Sequence, residues 1–300
     1  MSSFLQTDAW AKFKEKWGWR PHRLAETLVL SRKIILGKSL WYAPETELVD
    51  EKSLQRLLQD VKPAAEKEAA FVFRLEVAVP WHDEIAERLK KLGLRKSFES
   101  VQPEWRAVVD LRPSEEELLA TMHPKGRYNI RLAQRHGVAI RSSSDAATFY
   151  SLYVETAKRE RFSPRSREYF VDLLATIPRA QIFVAQLDHQ PLAAALVVFH
   201  DKTASYLYGA SSRERREVMA PYLLHWEIMR EAKKRGCTVY NLGEIPPLDV
   251  GGHPLQGLGD FKMKFGANPV HLLGSWDYVY RPLWYTAFRV VEKLRRGFRA

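Results

Sequence analysis

One cysteine, Cys237, stands in 300 residues, so the chain holds no internal disulfide framework. A membrane-spanning run is missing as well. The longest apolar stretch, Pro191 to Phe199, is nine residues with three alanines, whereas a spanning helix needs roughly 20. The first residues, Met-Ser-Ser-Phe, have neither the basic region nor the apolar run of a signal peptide. Nine histidines stand apart, with no pair at helical ligand spacing and no cysteine cluster beside them, which leaves a zinc site without support. These absences lead us to expect a cytoplasmic protein with neither metal nor other cofactor. Acidic residues are outnumbered, 36 against 47 Lys and Arg, giving a formal charge of +11 and a pI near 9.6. Such an excess calls for a polyanionic partner: nucleic acid, an anionic bilayer surface or a phosphorylated substrate. Charge alone does not choose among them.

The length favours two domains, and the 46% apolar content is enough to fill both cores. Trp10, Phe13 and Trp17 have helical spacing, predicting a helix over Leu5 to Trp17 that closes at Gly18. Short strands are expected over Arg23 to Leu30, Lys33 to Leu36 and Ser39 to Tyr42. A helix over Glu51 to Val61, a strand over Phe71 to Val77 and a helix over His82 to Leu92 follow. The polar, acidic stretch from Asp110 to Glu117 then separates a second half. There, helices over Ala146 to Arg159 and Arg167 to Ala175 precede strands over Gln181 to Gln186, Leu192 to His200 and Ala204 to Tyr208. A helix over Ala220 to Lys234, ended by Gly236, leads to a strand over Thr238 to Leu242. Two helices, an antiparallel meander, a helix and a further strand is the order of the GNAT acyltransferase fold, an α/β (α+β) class. A weak internal duplication would make both halves GNAT-like, the first over 1–110 and the second over 111–271.

Three segments carry candidate chemistry. Arg127, Arg131 and Arg135 recur every four residues after Lys125, on one stripe of a helix capped by Gly137. Such a stripe can follow a phosphate backbone, and no acidic residue between Pro124 and Arg141 supports the plainer explanation of a solvated, ion-paired face. Tyr206 and Tyr208 end a strand two residues apart, which would put both phenols on one face. They could line a pocket, or simply pack well. Gly257 to Gly266 interleaves Lys262 and Lys264 with Phe261 and Phe265. Cations beside rings suit an RNA end, where bases stack and phosphates pair with lysine, while the alternative is a short helix with its phenylalanines inward.

Taken in order, these residues resemble the Fem-type (FemABX) peptidyltransferases. The likeness runs from Phe4-Leu5-Gln6, Trp10 and Lys14 through Lys125 to Gly137 and Arg165 to Phe170. It continues in Tyr206 to Ser211, Ala220-Pro221-Tyr222, Val239 to Gly243 and Phe261-Lys262. The resemblance implies transfer of an amino acid from aminoacyl-tRNA to the stem peptide of a peptidoglycan precursor, UDP-linked or lipid-linked, by a cytoplasmic monomer. It implies that Lys14, Arg165 and Tyr169 contact the precursor's phosphate and sugar, that Tyr206 and Tyr208 line the groove, and that Lys262, preceded by Phe261, sits by the aminoacyl ester. Glu76 falls on the substrate side, where a family member has aspartate. Lys125, Arg127, Arg131, Arg135 and Lys264 would meet tRNA. The long helical hairpin of larger members is absent, and residues after about Leu272 should complete the first domain.

Aminolysis of an ester needs positioning and charge stabilisation rather than a cysteine or a Ser-His-Asp nucleophile. An acetyl-CoA-dependent transferase on this fold would cradle pyrophosphate on a glycine-rich loop. Ser211 to Ala220 has no glycine and carries Arg213, Arg215, Arg216 and Glu217. An aminoacyl-tRNA–protein transferase and a plain RNA-binding module are the other readings. At the C-terminus, Trp284, Phe288, Val291 and Phe298 share a side, with Arg289, Lys293, Arg295, Arg296 and Arg299 elsewhere. That helix is expected to pack on the first domain, with peripheral contact at the inner membrane face as the alternative.

Overall fold

The computed structural model describes residues 3–248 and 250–297. The expectations for Phe298 and Arg299, and for the side chains of Arg295 and Arg296, lie outside the described residues. The chain divides into a terminal unit, made of residues up to Glu104 with those from His271 onward, and a central unit, Trp105–Val270.

In the terminal unit α1 (Asp8–Lys16) starts where the Thr7 side chain accepts the Trp10 N–H, and it buries Trp10 and Phe13. A meander follows, β1 (Arg20–Leu24), β2 (Thr27–Ile35) and β3 (Lys38–Thr46). The sequence reading runs one strand through Arg23 to Leu30, but the chain reverses at Ala25 and Glu26, with φ of 44° and 63°. Two-residue hairpins of this handedness are usually marked by Asn or Gly, so this one carries no sequence signal. α2 (Glu51–Lys67) continues beyond Val61 through Pro63. The proline is exposed, and lacking an N–H it removes one helical hydrogen bond. β4 (Ala70–Pro80) lies parallel to β3, and α3 (Asp83–Lys91) and β5 (Arg95–Lys96) follow.

The central unit comprises β6 (Trp105–Asp110), α4 (Glu115–Thr121), α5 (Pro124–Arg135), β7 (Ala139–Ser143), α6 (Ala146–Glu160), α7 (Arg167–Thr176), β8 (Ala180–Leu187), β9 (Gln190–His200) and β10 (Thr203–Ser211). α8 (Ala220–Lys234), β11 (Val239–Glu244) and α9 (Gln256–Met263) complete it. Its sheet runs β6-β11-β10-β9-β8-β7, antiparallel except for β10 beside β11. Ile130 and Ala133 of α5 and Leu224, Ile228 and Met229 of α8 pack with Ala195, Val197 and Phe199 from one face of β9. The sheet's other face meets α6 and α7, where Phe149, Tyr153 and Phe170 form an aromatic cluster.

β12 (Asn268–Val279) returns to the terminal unit, antiparallel to β4 and β5, and α10 (Pro282–Gly297) ends the described chain. A buried ion cluster fixes this return. Arg74 grips both oxygens of Asp277 at 2.7 and 2.9 Å and reaches Glu99 at 3.2 Å, while the Tyr285 hydroxyl of α10 donates to Asp277 at 2.7 Å. Burial opposes charge on Arg74, but its two carboxylate partners outweigh that and hold its pKa above the ordinary guanidinium value. Among the described residues no helix is long and apolar enough to cross a membrane, and no cluster of His, Cys, Asp or Glu could hold a metal ion.

Candidate functional site

The site is built where β10 stops being a regular strand. Tyr206 pairs with Val197 and Tyr208 with Leu196, so Leu207 is an extra residue in the ladder. Opposed residues in an antiparallel pair share a face, and Val197 and Leu196 point oppositely, so this bulge turns the two tyrosines to opposite sides of the sheet. The alternation expected from the sequence therefore fails here. Tyr206 faces α8, with its ring 4.8 Å edge-on from that of His225, whereas Tyr208 joins Tyr153, Tyr169 and Phe170 beneath α6 and α7. Gly209 is required beside it: a Cβ there would lie 1.6 Å from the Tyr206 hydroxyl.

On the α8 side, Lys262 is only 4% exposed, so α9 buries a lysine as well as its rings. Its Nζ donates to the Glu244 carbonyl at 2.6 Å and stands 5.8 Å from the centre of the Tyr206 ring. Burial lowers its pKa from 10.5 to about 8, with the Glu244 charge pulling the other way. It is thus an ammonium near neutral pH, yet can give up its proton cheaply. The carbonyl it uses sits at a break in β11. Register against β6 shifts between Asn241 and Glu244, Gly243 adopts φ +75°, and the Asn241 side chain accepts the Gly243 N–H at 2.9 Å. The ladder between β10 and β11 ends at Ser205 and Asn241, so the strands part beside Tyr206 and Gly243.

Aromatic rings complete the enclosure. Phe261 contacts Tyr222 at 5.0 Å and His225 at 5.5 Å, and the buried Phe265 closes the cluster from below. His225 Nδ1 shares a 2.8 Å hydrogen bond with the Tyr240 hydroxyl. Burial, reinforced by the nearby Lys262 charge, lowers its pKa to about 3, so the ring is neutral and adds no competing cation. Burial raises Tyr206 to about 12, which keeps that phenol protonated. His225 escaped the sequence reading, and Gly209, Tyr240 and Gly243 lie in segments that carry the family likeness but were given no role there. His225 looks like any residue on the buried face of α8, and a glycine needed by a neighbour's ring leaves no periodic trace.

On the opposite face, the Tyr208 hydroxyl donates to that of Tyr169 at 3.2 Å, and the exposed Arg165 guanidinium lies 5.1 Å from the centre of the Tyr169 ring. Arg165 precedes the Ser166 N-cap of α7 rather than standing on the helix, yet still reaches Tyr169. The thirteen expected positions therefore do not form one cluster. Lys262, Phe261 and Tyr206 share one environment, and Arg165, Tyr169 and Tyr208 another.

The basic stripe of α5 also divides. Arg127 donates to the carbonyls of Leu119, Ala120 and Met122, capping α4, so it is a structural residue. Lys125, Arg131 and Arg135 are exposed, the last 5.9 Å from the ring centre of Tyr128. α5 abuts α9 closely: the His123 N–H bonds the Lys264 carbonyl, and a Cβ on Gly126 would come within 2.4 Å of that oxygen. Lys125 and the half-exposed Lys264 thus flank one junction.

Lys14 and Glu76 belong to the terminal unit. The Lys14 ammonium lies 5.5 and 5.1 Å from the ring centres of Trp10 and Trp19. Glu76 is buried, and its oxygens accept from the Tyr42 hydroxyl, the Gln102 N–H at 2.7 Å and the Ser275 hydroxyl at 3.3 Å. With those donors in place Glu76 holds β3, β4 and β12 together rather than facing a ligand.

Comparison with known proteins adds the remaining facts. The model of the FemAB family matches residues 80–190 and 179–293. A Lipid II:glycine glycyltransferase of Staphylococcus aureus is 22% identical, with 98% of this chain and 92% of that protein covered. That alignment runs over 387 positions against 300 residues here, so the relative carries additional segments. The crystal structure of FemX superposes with a TM-score of 0.86 at 22% identity, covering 95% of this chain and 94% of the other. A tandem GNAT protein from the clavulanic acid biosynthesis pathway reaches a TM-score of 0.51 at 13% identity, covering 84% and 78%. The architecture is accordingly mixed α/β with tandem GNAT-like domains.

Proposed function

Since the chain belongs to the FemAB family, we propose that it is an aminoacyltransferase of peptidoglycan interpeptide bridge formation, with aminoacyl-tRNA as donor and the stem peptide of a muropeptide precursor as acceptor. The observation that carries the reading is Lys262: a buried ammonium with a pKa near 8, held by the Glu244 carbonyl against the Tyr206 ring. In the reaction, the acceptor amine attacks the ester carbonyl, a new C–N bond forms and the ester C–O bond breaks. The amine loses a proton and the ribose oxygen gains one. A buried ammonium stabilises the oxygen on which negative charge collects and can supply that proton. Phe261 and Tyr206 exclude water and offer rings on which a terminal base or the aminoacyl group can rest.

Two cationic regions divide the substrates. Lys125, Arg131, Arg135 and Lys264 serve the tRNA, with Arg127 keeping α5 in place. Arg165 and Tyr169 offer a guanidinium and a phenol to the precursor's diphosphate and sugar. Support for the acceptor class comes from the staphylococcal relative, whose name gives Lipid II as its substrate. Against an acetyl-CoA donor stands the loop before α8. It lacks glycine, puts Arg215 and Met219 at φ of 50° and 57°, and commits Arg215 to Asp188 at 2.7 Å. The protein would work as a cytoplasmic monomer at the inner membrane face. Incubation with a charged tRNA pool and either the lipid-linked or the UDP-linked precursor tests this. The expected product is a precursor heavier by one or more amino acid residues. Unchanged precursor mass with every charged tRNA would remove the reading.

A further inference from the structure

Among the described residues, α10 has two apolar faces, and one of them is covered. Its inner face docks on the terminal unit through the Tyr285 hydroxyl on Asp277 and through Phe288, whose ring lies 5.2 Å from Phe71 and 6.0 Å from Phe98. Docking on this unit is as expected, but the packing side differs: Val291, grouped with Phe288 from the sequence, is exposed on the outer face instead. The outer face repeats Leu283, Ala287, Val290, Val291 and Leu294 at i, i+4, i+7, i+8 and i+11, a continuous stripe on one side. All five are exposed, Leu283 at 86%. Scattered exposed apolar residues are ordinary, but a helical stripe of them is not. The tip of the β2–β3 hairpin extends the patch: Leu36 is 81% exposed with Ile34 beside it, and Lys38 brings this tip to α10, its Nζ 5.7 Å from the Trp284 ring centre.

The borders of the stripe are basic. Arg289 and Lys293 follow one edge, and with Phe98, Thr286 and Val290 they line a cleft of about 340 Å³. Arg32 and Lys33 are exposed on the strand leading to the hairpin tip. Over residues 281–300 the sequence has six Arg or Lys and one acid, Glu292. A second copy of this chain would present the same positive charge to itself, whereas an anionic bilayer complements it. We propose that the outer face of α10, with the β2–β3 tip, seats the terminal unit on an anionic phospholipid surface. The stripe would lie in the interfacial layer, and Arg289 and Lys293 would meet lipid phosphates at their cleft. This inference rests on α10 and the hairpin alone and stands apart from the transfer reaction.

Vesicle sedimentation of the full chain tests it, comparing pure phosphatidylcholine vesicles with vesicles in which a third of the lipid is phosphatidylglycerol. Binding is expected only with the anionic lipid, weakening as salt is raised. Arg289→Gln with Lys293→Gln should lower the partition coefficient about 25-fold, taking about fivefold per charge. Leu283→Asp with Leu294→Asp should lower it at least as far. Leu36→Asp, on the hairpin and outside the helix, should lower it severalfold and keeps the test open should the helix variants misfold. Failure of the unmodified protein to sediment with anionic vesicles would overturn the proposal. So would equal binding by all three variants, or a concentration-dependent dimer abolished by Leu283→Asp without vesicle binding.

Discussion

Replacing Lys262 by methionine removes the charge that the fold holds at a cost, and the pH dependence of stability should reveal that cost. Burial lowers the amine from 10.5 to about 8, against the pull of Glu244. Each unit is worth about 1.4 kcal/mol, so keeping the ammonium in the folded chain at pH 7 costs on the order of 3 kcal/mol. Below pH 8 the lysine is protonated in both states and the full penalty applies. Between pH 8 and 10.5 the unfolded chain retains a proton that the folded chain has shed, so unfolding takes up a proton and native stability rises with pH. Methionine has no such dependence. The methionine variant also leaves the Glu244 carbonyl without this donor, a roughly 1–3 kcal/mol loss that does not vary with pH. Urea unfolding of both proteins at intervals from pH 7 to pH 10 should therefore show the unmodified protein gaining about 2–3 kcal/mol on the variant. A constant difference across that range would mean that the Lys262 pKa is not lowered, and the proton-donor argument would lose its basis.

Other perturbations separate the parts of the account. Gly209→Ala should displace the Tyr206 ring and lower kcat at least tenfold at a stability cost of about 1–3 kcal/mol, read by activity and thermal melts. Full activity would show that the Tyr206 position is immaterial. Arg131→Glu should reduce the log-log salt slope of tRNA binding by about 0.7 or more, whereas Arg127→Ala should lower the melting temperature more than it changes that slope. The opposite pattern would restore Arg127 to the tRNA surface. Arg165→Ala should raise KM for the muropeptide precursor well above any change for aminoacyl-tRNA, and the reverse would mean the two substrates have been assigned to the wrong regions.

Much of this molecule was legible where burial and periodicity agree. α8 begins at Ala220 and ends at Lys234 as its apolar run and Gly236 indicate, because buried residues fill it from Ala220 to Ala232 and a left-handed glycine stops it. Lys262 was legible as a candidate through the family resemblance and its place among phenylalanines, though its burial was not. A lysine among phenylalanines reads the same whether it points out or in, and only the break in β11 that offers the Glu244 carbonyl turns it inward. The opposed tyrosines were illegible for a sharper reason. Alternation assumes one residue per step, and Leu207 adds a step that no residue type announces. Likewise Arg127 belongs to the same four-residue repeat as Arg131 and Arg135, but the end of α4 happens to lie within its reach. Sequence spacing places side chains on a face; it does not tell which neighbour claims them.

On the proposed mechanism, the Lys262 ammonium stabilises charge that appears only as the ester is broken. Single-turnover transfer from a charged tRNA to the muropeptide precursor, with both substrates saturating, measures this directly in Lys262→Met, with Lys264→Met as the internal control. For Lys262→Met kcat should fall on the order of 10²- to 10³-fold, as for loss of one oxyanion donor, with both substrates still bound. Lys264→Met should show weaker tRNA binding at nearly unchanged kcat. Near-normal kcat in Lys262→Met would contradict this mechanism and return the buried lysine to a structural role in α9.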